Sequence, residues 1–233
     1  MKAIELLEKL RNMPLFTIND ISRITDKGDK YVKTMAYRLR KRGMIKRIER
    51  GKYTVHEDIL QFASHITTPS YISFWTALKI YGLTEQLPSG VMVAVARPRK
   101  EIIFSGERIT FTKISQFWGY GKMRYRDFDI FIADKEKAVI DCLLSKNTPF
   151  DEAAKAILGK ELDYDRLMEY AEKTKNSSLA KRAGFLAEKA GYDASFLLHI
   201  ADSNYIPLNW ALKSRGRKDF RWKVIVNEEL DDI

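Results

Sequence analysis

Residues 30–55 read KYVKTMAYRLRKRGMIKRIERGKYTV and set ten Lys and Arg against one acid, Glu49. An apolar residue still returns every three or four positions in the first half, at Val32, Met35, Ala36 and Leu39, the spacing of one buried helix face. The opposite side of that helix presents Lys30, Tyr31, Lys33, Thr34, Tyr37, Arg38 and Lys41. Gly43 ends it, and two β-rich runs follow, MIKRI and KYTV, joined by the turn Glu49-Arg50-Gly51.

Widening the window to residues 27–55 gives eleven basic residues against Asp29 and Glu49, so nine of the ten net positive charges of the 233-residue chain lie in one segment. Such asymmetry predicts a phosphate-bearing partner for that segment and ordinary globular balance for the rest. A helix lying on an anionic membrane would need large apolar residues on its free face; this one offers Lys, Thr, Tyr and Arg.

Working upstream, AIELLEKL at residues 3–10 carries Ile4, Leu7 and Leu10 opposite Glu5 and Glu8, an amphipathic helix that Pro14 marks off. Thr17 is a natural N-cap for a short helix with Ile18, Ile21 and Ile24 on one face. Lys27-Gly28-Asp29 reads as a turn, with Asp29 expected to cap the basic helix. Three helices followed by a hairpin predict a winged helix-turn-helix over residues 1–55. In that geometry the third helix enters the major groove of double-stranded DNA, where Lys30, Tyr31, Lys33, Thr34, Tyr37, Arg38 and Lys41 reach base edges or flanking phosphates. Thr17, Arg47, Arg50 and Lys52 flank it and follow the backbone, adding affinity without sequence information.

His56 to Thr68, with Ile59, Phe62, Ala63 and Ile66 as its stripe, predicts a linking helix over 56–68 and a boundary near 68. The remaining 69–233 reads as a larger mixed α/β domain with a helical C-terminal part, so the fold class is α+β. SYISFWTALKIYGLTEQLP is expected to be a helix ending at Gly82. VMVAVA, EIIF, RITFTKI and DFDIFIA alternate as strands do. DKEKAVIDCLL, FDEAAKAIL, DYDRLMEYAEKT and SSLAKRAGFLAEKAG have helical spacing, several of them opening on a capping Asp or Ser. FRWKVIVN closes the pattern as a strand, before the acidic EELDDI.

Three of these segments carry a resemblance. YISFWTALKIYGLTEQLP (71–88), IADKEKAVIDCLL (132–144) and YIPLNWALKSRGRKDFRWKVIVN (205–227) resemble the opening helix, the strand-to-helix step and the closing segment of the C-terminal domain of AbiEi-type abortive-infection antitoxins. The basic module stands where that family has its winged helix, so the resemblance spans essentially the whole chain, although no short motif in it is diagnostic alone. It implies a repressor that binds inverted repeats in the promoter of its own operon, and a C-terminal domain that counteracts a nucleotidyltransferase-like AbiEii toxin. No toxin-facing residue carries over, and no oligomeric state follows.

Other signals are weaker. No apolar run reaches membrane-spanning length and the N-terminus lacks a signal-peptide core, which predicts a cytoplasmic protein. Cys142 is alone, sits in an apolar helical pattern and reads as core; His56, His65 and His199 lack metal-ligand spacing, so neither metal nor cofactor is expected. Asp127 and Asp129 share a strand face as in two-metal nucleotidyltransferases, but the Gly119-Tyr120-Gly121 turn lacks the accompanying Ser, and a solvated edge balanced by Arg124 and Arg126 is expected instead of catalysis. Phe74, Trp75, Tyr81, Phe117 and Trp118 read as core more readily than as a stacking platform. The basic loops Arg97–Lys100 and Lys213–Lys218 leave two readings open, solvation or partner contact. The alternative to the whole scheme is a stand-alone regulator, or an RNA- or protein-interaction module without a toxin partner.

Overall fold

Thr17 begins the organisation of the N-terminal segment. Its hydroxyl accepts from the Asp20 amide at 3.3 Å while the Asp20 carboxylate accepts from the Thr17 amide at 2.8 Å, a reciprocal capping box. In the computed structural model, which describes residues 3–159 and 161–230, this cap starts α2 (Ile18–Thr25). Before it lie α1 (Ala3–Arg11) and a two-residue strand, β1 (Phe16–Thr17), absent from the sequence reading because two residues carry no periodicity. After it come α3 (Asp29–Lys41) and the hairpin β2 (Lys46–Glu49) and β3 (Lys52–Thr54). Gly28, not Asp29, is the N-cap of α3: Asp29 is its first residue, and the Gly28 carbonyl accepts from Val32. Leu6, Leu10, Phe16, Ile21, Val32, Ala36, Leu39 and Ile45 form one buried cluster, and β3 lies between β1 and β2. Burial of this stripe is what turns the cationic side of α3 outward.

The predicted linking helix over 56–68 is instead two 3-10 turns, Ile59–Gln61 and Ala63–His65. Asp58 caps the first, accepting from the Leu60 amide at 3.0 Å, and His56 Nε2 is fixed 3.1 Å from the Met13 carbonyl. With Ile59, Phe62, Ala63 and Ile66 all buried, the segment is held by side chains on several sides rather than by one helix face.

SYI opens as strand β4 (Ser70–Ile72) where a helix is expected, and the helix proper is α4 (Phe74–Ile80). The strand reading wins because Ser70, Tyr71 and Ile72 are all buried and pair with β5 (Gly90–Val95) as Ser70↔Val95 through Ile72↔Val93. The sheet continues through β6 (Ile102–Phe104), β7 (Glu107–Lys113), β8 (Tyr120–Tyr125) and β9 (Phe128–Ala133) in the order β6-β7-β5-β4-β9-β8. The fold is mixed α and β, as expected. β8 was not expected; its residues YGKMRY are mostly polar and carry little apolar alternation.

The described residues divide into two compact units built from interleaved segments. One takes the chain up to Ile72 with Ser89–Ile114 and Lys122–Ile132; the other takes Ser73–Pro88, Ser115–Gly121 and the chain from Ala133 onward. Neither coincides with residues 1–55 or 69–233.

The second unit is built around α5 (Lys135–Leu144), packed by α6 (Phe150–Leu158), α7 (Tyr164–Thr174) and α8 (Ser177–Lys189). Asp134 caps α5, accepting from the Lys137 amide at 2.8 Å, and takes the Tyr170 hydroxyl at 2.8 Å. Lys137 and Asp141, one turn apart and fully buried, form an ion pair, and Ser73 Oγ donates to Asp141 at 2.7 Å. The Trp118 ring covers the Lys137 ammonium at 4.8 Å. A small sheet, β10 (Ile206–Pro207), β12 (Val224–Val226) and β11 (Arg217–Asp219), lies beyond, with Trp222 packed on Gly184 of α8.

A Cβ on Gly184 would sit inside the Trp222 ring, which is itself buried. Gly184→Ala is therefore expected to lower stability by about 1–3 kcal/mol through overpacking, and Asp141→Ala by about 3–5 kcal/mol because it strands the buried Lys137 charge. Urea unfolding of each variant checks both, the second being the larger loss.

Candidate nucleic-acid interface

The exposed side of α3 is assembled from the residues expected there. Lys30, Tyr31, Lys33, Thr34, Tyr37, Arg38 and Lys41 are all exposed, while Val32, Ala36 and Leu39 point into the core. Tyr31 and Tyr37 retain 55% and 57% of their surface, an exposure of large rings suited to a contact face. Lys33 stands 3.4 Å from Asp29, an exposed i,i+4 pair of little energetic weight. Thr34 Oγ1 donates to the Lys30 carbonyl at 3.0 Å, so its hydroxyl is partly engaged by its own helix. Among the described residues, Lys30, Arg38, Lys41, Arg47 and Arg50 have no carboxylate partner.

Two exposed cations of the same helix segment, Arg40 and Arg42, were not singled out in the sequence. Arg40 lies over the Tyr37 ring at 5.9 Å, and Arg42 lines an open groove of about 550 Å³ with Lys30, Tyr31, Thr34 and Arg38. The only signal for them was charge, since the apolar stripe does not distinguish the edges of the free face from its centre.

The flanking residues separate into free and engaged. Arg47 and Arg50 are exposed on the hairpin. Lys52 is not free: it pairs with Glu49 at 3.1 Å and donates to the Ile66 carbonyl. Thr17 is also occupied, by its capping box. Glu49 binds Arg99 as well, and the Arg99 guanidinium lies over the Phe111 ring at 4.9 Å. Lys46, on the same hairpin, pairs with Glu57 and donates to Ser105 Oγ at 3.1 Å. The hairpin is thereby tied to the six-stranded sheet by its own charged residues, and the Arg97–Lys100 loop supplies one of the ties.

Elsewhere the expected pairings are partly replaced. Arg124 approaches Asp129 at 3.5 Å, but Arg126 pairs with Asp58, which also accepts from the Tyr125 hydroxyl at 2.9 Å. Burial and then that carboxylate raise the Tyr125 hydroxyl above its ordinary pKa. Phe74 is fully buried, and Trp118 packs on Tyr170 at 4.6 Å. Burial pushes the Cys142 thiol well above its usual range, the environment of a core side chain and not of a reactive thiolate. Among the described residues no group of three or more His, Cys, Asp or Glu is placed to hold a metal ion, and no helix is long and apolar enough to cross a membrane. Arg215 and Arg217 of the Lys213–Lys218 loop line a cavity of about 660 Å³ with Glu228 and Glu229.

No family model and no curated protein matches the chain. Among solved structures, the chain is similar to the RV2827C protein from Mycobacterium tuberculosis, at 12% identity and a TM-score of 0.67, covering 95% of this chain and 90% of that one. At that identity the likeness is one of fold.

Removing the Thr17 hydroxyl breaks the capping box at the start of α2. Thr17→Ala is expected to destabilise by about 0.5–2 kcal/mol, read by thermal unfolding, and Thr17→Ser to recover most of the loss.

Proposed function

We propose that this chain is a DNA-binding transcriptional repressor whose residues 1–55 act as a winged helix, with α3 as the reading helix and Arg47 and Arg50 on the wing. The observation that carries the reading is the row of solvated, largely unpaired cations and tyrosines on the one face of α3 that the core leaves free. The helix–helix–hairpin order is the arrangement such readers use, and bidentate or single hydrogen bonds from Arg and Lys to base edges supply sequence choice. Arg47 and Arg50 lie where phosphate contact adds affinity that salt weakens.

The resemblance to AbiEi-type antitoxins extends the proposal: autoregulation through inverted repeats, and a C-terminal part that counteracts an AbiEii-like nucleotidyltransferase toxin in the cytoplasm. In that scheme the protein is not an enzyme and needs no cofactor.

The decisive experiment is a fluorescence-anisotropy titration on the chain's own upstream DNA and on a scrambled duplex, each at two salt concentrations. A preference of about a thousandfold or more for the native duplex is expected of a specific repressor; equal binding to both that collapses with salt would reduce the basic segment to an electrostatic footprint. Lys33→Ala combined with Arg38→Ala should weaken specific binding by about 1–3 kcal/mol for each base-edge interaction removed. Unchanged affinity of that variant would remove both side chains from the reading face.

Arg50→Ala should reduce the salt dependence by about one phosphate's worth and act alike on all sequences. Lys52→Ala, whose ammonium is already engaged, should instead show its main effect in unfolding, and a salt-slope change as large as that of Arg50→Ala would reverse the two roles.

A further inference from the structure

The small sheet of the second unit has two unlike faces. Ile206, Val224 and Asp219 share one side through the registers Ile206↔Val224 and Asp219↔Val224, and buried Val224 and Trp222 seat the sheet on α8. Tyr205 directly precedes β10, and Phe220 and Lys223 lie in the turn that joins β11 to β12, with the Ile206 amide donating to the Lys223 carbonyl at 3.1 Å. Phe220 is 74% exposed and meets the Tyr205 ring edge-on with centroids 6.4 Å apart. The ammonium groups of Lys218 and Lys223 both stand over that ring, at 5.0 and 5.5 Å. Strand alternation separates Lys218 from its neighbour Arg217, which lines the cavity that also holds Glu228. Among the described residues neither lysine has a carboxylate partner.

Two ammonium groups sharing one ring repel each other, and an anion placed between them is stabilised by both. Immediately beside them is a large planar side chain left in water. The geometry points to a second binding surface, for single-stranded nucleic acid, with a phosphodiester across Lys218 and Lys223 and a base stacked on Phe220. A duplex keeps its base faces inside and has nothing to lay on Phe220. An acidic polypeptide would meet the lysines and leave Phe220 without a planar partner. Base–aromatic stacking beside a cationic track is the chemistry by which single strands are held without a sequence code. This surface is independent of the α3 face and of the duplex-binding reading.

The test is anisotropy titration of the full chain with a labelled oligouridylate of roughly ten nucleotides, carried out both on the natural sequence and on the Lys33→Ala/Arg38→Ala background. Binding should persist on that background, which separates this surface from the duplex reader. Phe220→Ala should weaken it by roughly 5- to 150-fold, the worth of one base stack, Phe220→Tyr should keep it, and Lys218→Glu with Lys223→Glu should abolish it. Lys218 and Phe220 are exposed and Lys223 is half-buried, and matched unfolding midpoints confirm that the fold is kept. Absence of binding, an unchanged affinity in Phe220→Ala, or displacement of the oligonucleotide by polyglutamate as readily as by unlabelled oligouridylate would each overturn the assignment, the last in favour of an acidic protein partner.

Discussion

A lysine with no solvent exposure is tolerable only if its charge is answered on the spot, and in the second unit Lys137 is answered by Asp141 one helical turn away. That pair sits on α5, where eight of ten residues are buried, so the surrounding helices are arranged about a charge they cannot ignore. Ser73 comes to Asp141 from the start of α4, and Trp118 closes over Lys137 from the loop before β8. The Asp134 cap and the Tyr170 hydroxyl bring in α7. An apolar pair of the same volume could pack as tightly; the ionic one additionally penalises any arrangement of α4, α5 and the Trp118 loop that separates the two charges.

In the first unit the ordering influence is the reverse, a shortage of acid. Glu49 is the one carboxylate in residues 30–55, and it is shared between Lys52 and Arg99. Apart from Lys33 beside Asp29 and Lys46 beside Glu57, the remaining cations of α3 and the hairpin have no carboxylate partner among the described residues, because the apolar stripe Val32, Ala36 and Leu39 takes the other side of the helix into the core. Burial thus determines which face is free, and charge composition determines what that face can attract.

Legibility in the sequence followed the length and regularity of each element. The helices α3, α5, α6, α7 and α8 stood out because an apolar residue recurs every third or fourth position for two turns or more, and the caps Asp134 and Asp163 marked the starts of α5 and α7 as Thr17 did for α2. The exposed set on α3 was readable for the same reason. The two-residue strands β1 and β10 and the polar strand β8 were not legible, the first two being too short to show a period and the last too polar to alternate. At Ser70–Ile72 the helix-like spacing of the aromatic segment masked a strand whose three side chains are all buried by long-range pairing. At 56–68 a helical stripe was present, but its residues Ile59, Phe62, Ala63 and Ile66 are all buried in a segment that forms two 3-10 turns. The state of Lys52 could not be read either, since its partner is a backbone carbonyl at Ile66, and spacing says nothing about carbonyl direction.

The ties that run from the hairpin to the connecting segment and to the sheet bear on how the proposed wing would meet a partner. Glu49 with Arg99, Lys46 with Glu57 and Ser105, and Lys52 with Ile66 anchor β2 and β3. A loop that is ordered only in a complex sets its surrendered freedom against affinity, whereas this hairpin gives up that freedom when the chain folds. Arg47 and Arg50 are therefore carried on a braced hairpin, and in the proposed complex little of the conformational entropy given up on binding would come from its backbone.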